Sequence, residues 1–484
     1  MPAEKYPKMA QLRTVEKFNA RLEELGISIP CDEDLLSAED ASPLALPISF
    51  GDHVVGNRWC IHPMEGWDAN RDGSPTDLTI RRWHRFGLSG AKLIWGGEAA
   101  AVQPTGRANP NQTLATAENE QGLKTLLDAL LDGHRSQGLD IEDLLVGLQL
   151  THSGRFCKPN DHKRWESRIA YHHPLLDSKF GIDPDDDDVV WTDEQLEALI
   201  DDYVAAAKLA EKVGFKFVDV KACHGYLLHE FLSARSRPGR FGGDLKGRSR
   251  VLCTVVNRIR EECPSLAIGC RLSLFDSFPF RPNAEDKVGE PHDWDEGQPY
   301  EFGFGLNPAN PLEIDLTEPK QLVQMLMEQG LDMLNITAAS PYYNPHFQRP
   351  AIFPPSDGYL PPEDPLVGVA RHLEVVADMK QAFPDLAMVG SGYSYLQEFL
   401  PRVAQAAVRE GMVDFVGLGR MVLSYPTLPL DSLHGKPPER KLICRTFSDC
   451  TTAPRNGVVS GCYPLDEHYK RMPEREQVQS LKLT

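Results

Sequence analysis

Five side chains able to move a proton or hold an anion fall within nine positions: Lys221, Cys223, His224, Tyr226 and His229, in the run VDVKACHGYLLHEFLSARSRPGRFGG, residues 218–243. An ammonium and an imidazole can donate hydrogen bonds to an oxygen on which charge develops, and a phenol can deliver a proton to carbon. A lysine in an apolar setting can instead form a Schiff base. The run opens on the apolar alternation of a strand and closes on Gly-Gly. Its polar groups therefore sit where a strand ends, and the question becomes what else ends beside them.

Eight short apolar or β-branched runs read as strands. They are GNRWCIHPM to residue 64, AKLIWGGEA to 99, LLVGLQLTH to 152, FKFVDVKACH to 224, LAIGCRLSL to 274, LDMLNITAAS to 340, LAMVGSG to 392 and VDFVGLGR to 420. Helical periodicity fills the intervals, as in TDEQLEALIDDYVAAAKLAEKVG, 192–214, where Thr192 and Gln195 form a capping box and Gly214 a stop. This alternation predicts an α/β fold, a (β/α)₈ TIM barrel with long strand-to-helix loops. A doubly wound dinucleotide-binding sheet would need a glycine-rich turn after its first strand, and MEGWDANRDG, 64–73, supplies none.

In such a barrel the strand C-termini face one shared site. They carry Pro63, Met64 and Glu65; Gly97, Glu98 and Ala99; Gln149 and His152; the Lys221–Tyr226 group; Arg271; Gly392; and Gly419 with Arg420. Strand six is plain. The glycine turns VGSGYS and VGLGRM follow strands seven and eight, the corner where barrels commonly hold a phosphate, and Arg420 adds a bidentate cation. The loops 157–190, 276–316 and 341–365 are expected to wall a deep pocket, although 276–316 also reads as a plain surface insertion. Trp67, Phe275 and the aromatics of SPYYNPHFQRP, including Tyr343, suggest a flat or cyclic ligand.

The 484 residues carry a net charge of −19, which argues against nucleic acid and anionic membranes as partners. The N-terminus lacks a signal peptide's apolar core of roughly 7–15 residues, and no apolar run reaches the roughly 18 residues of a membrane span. Ten cysteines without a secretion signal read as reduced thiols, so a cytoplasmic location is expected.

HGYLLHEFLSARSRPGRFGGDLKGRSR resembles the fingerprint of the old yellow enzyme family of FMN-dependent ene-reductases. The resemblance extends in order through HPMEGWDANRDGSPTD (62–77), GGEAAAVQPTGR (96–107), GLQLTHSGR (147–155) and VDFVGLGR (413–420). It implies three parts: an N-terminal extension over 1–46, an FMN-binding barrel over 47–435 and a C-terminal extension over 436–484. It implies that Pro63, Met64, Glu65 and Ala99 lie along the flavin, that Gln149 and Arg271 meet its pyrimidine edge, and that Gly392, Gly419 and Arg420 hold its phosphate. NADPH or NADH would donate a hydride to the flavin, which passes it to the C=C bond of an α,β-unsaturated carbonyl compound. Tyr226 would supply the proton, and His224 and Lys221 would clamp the carbonyl. Trp67, His152, Lys221, His224 and Tyr343 would contact an enone-like or cyclic substrate. A homo-oligomer is expected.

Two departures from the family pattern bear on the site. Lys221 stands where the family usually has histidine, which would suit a more anionic oxygen or a carboxylate. Glu65 stands where threonine or cysteine is usual; a carboxylate there should hinder flavin reduction, be protonated or point away. Larger relatives bind a [4Fe–4S] cluster through four cysteines after the barrel. Here Cys444, Cys450 and Cys462 remain, Phe447 fills the second position, and the tail reads as a vestigial cluster loop, with neither a cluster nor another metal expected. Two other readings stand beside the reductase: a Lys221 Schiff-base lyase or aldolase on a flavin-less barrel, and a non-catalytic flavin-binding protein.

Overall fold

The computed structural model describes residues 6–295 and 297–481. Eight parallel strands close a barrel: β1 Trp59–Ile61, β2 Leu93–Ile94, β3 Leu145–Thr151, β4 Phe217–Val220, β5 Ala267–Ser273, β6 Met333–Thr337, β7 Ala387–Gly390 and β8 Phe415–Leu418. Each pairs with the next, and β8 returns to β1 through Val416–Trp59 and Leu418–Ile61. The run read as strand two is split. After Ile94 the backbone turns through Gly96 (φ 99°) and Gly97 (φ 56°) before a short strand, Ala99–Ala101, pairs with β3. That kink lets the Gly97 carbonyl accept the Met64 N–H at 2.8 Å, which fixes the chain leaving β1.

Seven principal helices follow β1 to β7 in turn: α1 Asp77–Gly87, α2 Glu120–Ser136, α3 Asp193–Val213, α4 Arg250–Glu262, α5 Thr317–Glu328, α6 Pro365–Ala382 and α7 Leu400–Arg409. The capping box at α3 forms as its sequence predicts, with Thr192 and Gln195 bonding reciprocally and Gly214 left-handed. Shorter helical turns, Met421–Ser424 and Leu428–Leu433, follow β8. The N-terminal helix Val15–Leu25 packs on the outside. Phe18 stacks on Phe399 at 4.6 Å, and Arg21 pairs with Asp364 at 2.6 Å. No described helix is long and apolar enough to cross a membrane.

Side chains alternate along each strand, so one parity fills the barrel. Its floor is apolar: Cys60, Leu93, Trp95, Leu145, Phe217, Met333, Val389 and Phe415, covered from below by Val55 of the hairpin Ile48–Phe50/His53–Val55. Large rings there require small neighbours. A Cβ on Gly147 would lie 2.4 Å from the Phe217 ring, and one on Gly269 would lie 2.7 Å from Trp95. Two residues further along β3 and β5 the same inward parity delivers Gln149 and Arg271. On β4 it delivers Asp219 and then Lys221. The apolar floor thus gives way to a polar layer, and the site is built on it.

Candidate active site

Gln149 donates to Asp219 at 2.5 Å, and Asp219 also accepts the backbone N–H of Arg271 at 2.6 Å. Across the barrel, Asn335 meets His62 Nδ1 at 3.1 Å, while His62 Nε2 meets Ser391 Oγ at 3.1 Å. Above this layer a cavity opens, with about 220 Å³ available to water centres. One water needs roughly 10–15 Å³ on that measure, so the space suits a ligand much larger than a few waters.

The turn after β4 aims its side chains into this cavity. His224 (φ 63°) and Gly225 (φ 77°) are consecutive left-handed residues, a conformation costing a non-glycine residue about 1–3 kcal/mol. Two bonds hold it: the His224 N–H donates to Ser273 Oγ at 2.9 Å, and the Gly225 N–H donates to His229 Nδ1 at 2.9 Å. His229 is therefore a backbone prop. The His224 ring meets Thr337 Oγ1 through Nε2 at 3.1 Å. Burial, with Arg271 and Lys221 nearby, pushes the His224 pKa well below its ordinary value, so the imidazole is neutral near pH 7. Burial and then Glu65 push the Tyr226 phenol well above its usual range. It keeps its proton until an acceptor takes it.

Glu65 gathers this group. Its carboxylate accepts from Lys221 Nζ at 2.8 Å, Trp67 Nε1 at 2.8 Å and Tyr226 OH at 3.4 Å. Lys221 Nζ also lies 3.6 Å from the Tyr226 ring centroid, a cation–π contact. Tyr226 OH is 3.2 Å from Tyr342 OH, and both tyrosines rest on Phe156, which stacks on Tyr342 at 4.0 Å. The expected Glu65 carboxylate thus points at Lys221, and the two departures from the family pattern meet as one ion pair.

The cavity's cations fall into two sets. Arg81 and Arg85 pair with Asp466, Arg82 with Asp68 and Glu98, and Arg455 with Asp357. Arg271, Arg349 and Arg420 form no ion pair among the described residues, and Arg271 Nε is buried without a partner. Arg349 is held by the Ser448 hydroxyl. Burial lowers the pKa of both Arg349 and Arg420, and Arg420 further disfavours the charge on Arg349. Buried cations that form no ion pair among the described residues fit an anionic ligand. Gln149 with Arg271 fits a polar ring edge, and Arg349 with Arg420 fits a phosphate.

Of the residues expected from sequence, Pro63, Met64, Glu65, Trp67, Gln149, Lys221, His224, Tyr226, Arg271, Gly392, Gly419 and Arg420 line this cavity. Three expected residues lie elsewhere. Ala99 lies in the buried short strand beyond the Gly96–Gly97 kink. His152 follows Thr151 with opposite parity and packs edge-on to Trp191 at 5.1 Å, its Nδ1 accepting the Gly154 N–H. Tyr343 donates to Asp276 at 2.9 Å behind the wall, and its neighbour Tyr342 faces the cavity. Strand six is not plain: it supplies Asn335 and Thr337.

The wall differs from expectation as well. Of the three long loops only the segment after β6 lines the cavity. Residues 157–190 back it through Trp165 and Phe180, and 276–316 folds into two small hairpins. The C-terminal extension closes the rest with Cys450, Arg455, Cys462 and Tyr469. Burial raises the Cys444 and Cys462 pKa values, and Phe447 lies 5.7 Å from Phe353. Among the described residues no group of three or more His, Cys, Asp or Glu is placed to hold a metal ion.

The family model for NADH:flavin oxidoreductase / NADH oxidase matches residues 43–287, about half of the chain. An NADH:flavin oxidoreductase of Gibberella zeae is 27% identical over 311 residues, covering 60% of this chain and 66% of its own length. The 12-oxophytodienoate reductase 1 of Oryza sativa is 26% identical, covering 50% and 62%. An NADPH dehydrogenase of Listeria monocytogenes is 28% identical, covering 44% and 57%. The chain therefore spans somewhat under two thirds of the curated relatives it matches. Among solved structures, a 2-naphthoyl-CoA reductase complex superposes with a TM-score of 0.63 at 19% identity, covering 90% of this chain and 58% of that one. Morphinone reductase with tetrahydroNAD superposes at 0.54 with 20% identity, covering 82% and 92%. These likenesses carry the fold.

Proposed function

Since the chain belongs to the NADH:flavin oxidoreductase / NADH oxidase family, we propose that it is an FMN-dependent oxidoreductase that uses NAD(P)H to reduce the C=C bond of an α,β-unsaturated carbonyl compound. The observation that carries this reading is one cavity lined by two kinds of groups. Three unpaired arginines and Gln149 suit a flavin nucleotide, and Lys221, His224 and Tyr226 suit a carbonyl being reduced.

Arg271 and Gln149 would hold the pyrimidine edge, Pro63 and Met64 would lie along the ring, and Arg349 and Arg420 beside the Gly392 and Gly419 turns would hold the phosphate. Bound FMN would supply two-electron hydride chemistry, taken from NAD(P)H and delivered to the acceptor's β-carbon. His224 and Lys221 donate to the carbonyl oxygen, where negative charge grows as the β-carbon is reduced. Tyr226 gives its phenolic proton to the α-carbon, and Tyr342 OH, 3.2 Å away, is placed to restore it. In this reading residues 47–435 would be the barrel that performs this, and the extension beyond them lines its mouth from Cys450 to Tyr469. A Schiff-base role would need a free amine at Lys221, and its ion pair with Glu65 weighs against that reading.

The test separates the two half-reactions. Tyr226→Phe should leave flavin reduction by nicotinamide within about threefold of wild type and slow reoxidation by an enone by roughly 10²–10⁴-fold, the usual worth of a positioned acid. Slowed flavin reduction with normal reoxidation would contradict the role given to Tyr226.

A further inference from the structure

Only two carboxylates are among the described residues lining the cavity, Glu65 and Asp466. Asp466 is occupied by Arg81 at 2.9 Å and Arg85 at 3.6 Å, away from the donor group. Glu65 is the acid that faces Lys221, at 2.8 Å, and Trp67 fixes its other oxygen at 2.8 Å. Trp67 itself is a left-handed residue (φ 50°), so the backbone accepts strain to present the indole N–H there. The ammonium rests on the Tyr226 ring at 3.6 Å. The donor cluster therefore holds one cation, one anion, a neutral imidazole and a neutral phenol.

An ammonium alone at this wall would attract a ligand carboxylate. With Glu65 beside it the pair carries no net charge. The ammonium keeps N–H groups to donate, but an incoming carboxylate also meets Glu65 in a cavity where charges are weakly screened. A carbonyl oxygen gains the hydrogen bond without that repulsion. We infer that Glu65 sets the charge preference of the acceptor subsite: it cancels Lys221, so the wall takes uncharged carbonyl compounds and turns away carboxylates of the same shape. Glu65 acts through Lys221 and is a positioning residue. This inference rests on the reading of Lys221, His224 and Tyr226 as the oxygen-binding side of the acceptor subsite. It replaces the expectation that Lys221 would favour an anionic group.

Benzaldehyde and benzoate share a ring and differ in charge, and neither needs turnover to report binding. Calorimetric titration of the FMN-loaded protein at pH 7 should show wild type binding benzaldehyde at least tenfold more tightly than benzoate. Glu65→Gln keeps the side chain's size and an acceptor oxygen while removing the charge. It should tighten benzoate at least tenfold and move benzaldehyde by less than about threefold. Glu65→Asp, which keeps the charge, should retain the wild-type preference. Benzoate bound as tightly as benzaldehyde by wild type would overturn the inference, and so would a ratio unchanged in Glu65→Gln. If that variant does not fold, the wild-type ratio and Glu65→Asp still decide. A protein that prefers benzaldehyde yet reduces no enone keeps this inference and removes the reductase reading; one that reduces enones yet prefers benzoate does the reverse.

Discussion

At the residue scale the site depends on which charges are paired. Lys221 is paired and Arg349, among the described residues, is not, although both are cations lining one cavity. Arg349 follows the β6 strand end by twelve residues and is anchored by Ser448 from the C-terminal extension. If it shares the FMN phosphate with Arg420, Arg349→Ala should weaken FMN roughly ten- to hundredfold, the usual worth of hydrogen bonds to a charged group. Riboflavin, which lacks the phosphate, should change little. Quenching of flavin fluorescence on titration reads both, and equal losses for the two ligands would remove Arg349 from the phosphate site. Its role was not legible in the sequence, because no local pattern marks a loop arginine whose neighbours come from almost a hundred residues further on. The outward position of His152 is legible from strand parity. Gln149 and Thr151 share a face, so the next residue points outward. Tyr342 and Tyr343 are adjacent in a turn, where no periodicity distinguishes them.

At the element scale the strands were legible because each is a short apolar run bounded by glycine, proline or polar turns. All eight lie where the sequence places them. The split of strand two was signalled by Gly96-Gly97 and needed only to be read as a kink. The loops were harder, because length indicates that a loop does something and not which face it serves. The barrel's interior gives a test of the element-level account. Gly147 sits opposite Phe217, and its backbone does not require glycine. Gly147→Ala should therefore act through overpacking alone and destabilise by about 1–3 kcal/mol. Urea unfolding would show a lower midpoint at unchanged slope. An unchanged midpoint would mean that the floor has slack the structure does not show.

At the scale of the whole molecule, a barrel floor of rings and small residues supports a polar layer, the polar layer supports a cavity, and the C-terminal extension completes its wall. The order of motifs along the chain was enough to anticipate the barrel and twelve of the residues that line the cavity. The C-terminal wall was not anticipated, because its contacts with α1 and with the loop after β6 join segments far apart in sequence. Arg81–Asp466 and Arg455–Asp357 are two of those joins. The central claim is that this cavity holds a flavin that exchanges electrons with nicotinamide and with an activated double bond. The most direct measurement is the visible absorption spectrum of the purified protein reconstituted with FMN, followed anaerobically through addition of NADPH or NADH and then of cyclohexenone. The flavin bands should bleach with one of the nicotinamides and return with the enone. A protein that takes up no FMN, or whose flavin stays oxidised with both nicotinamides, would contradict it.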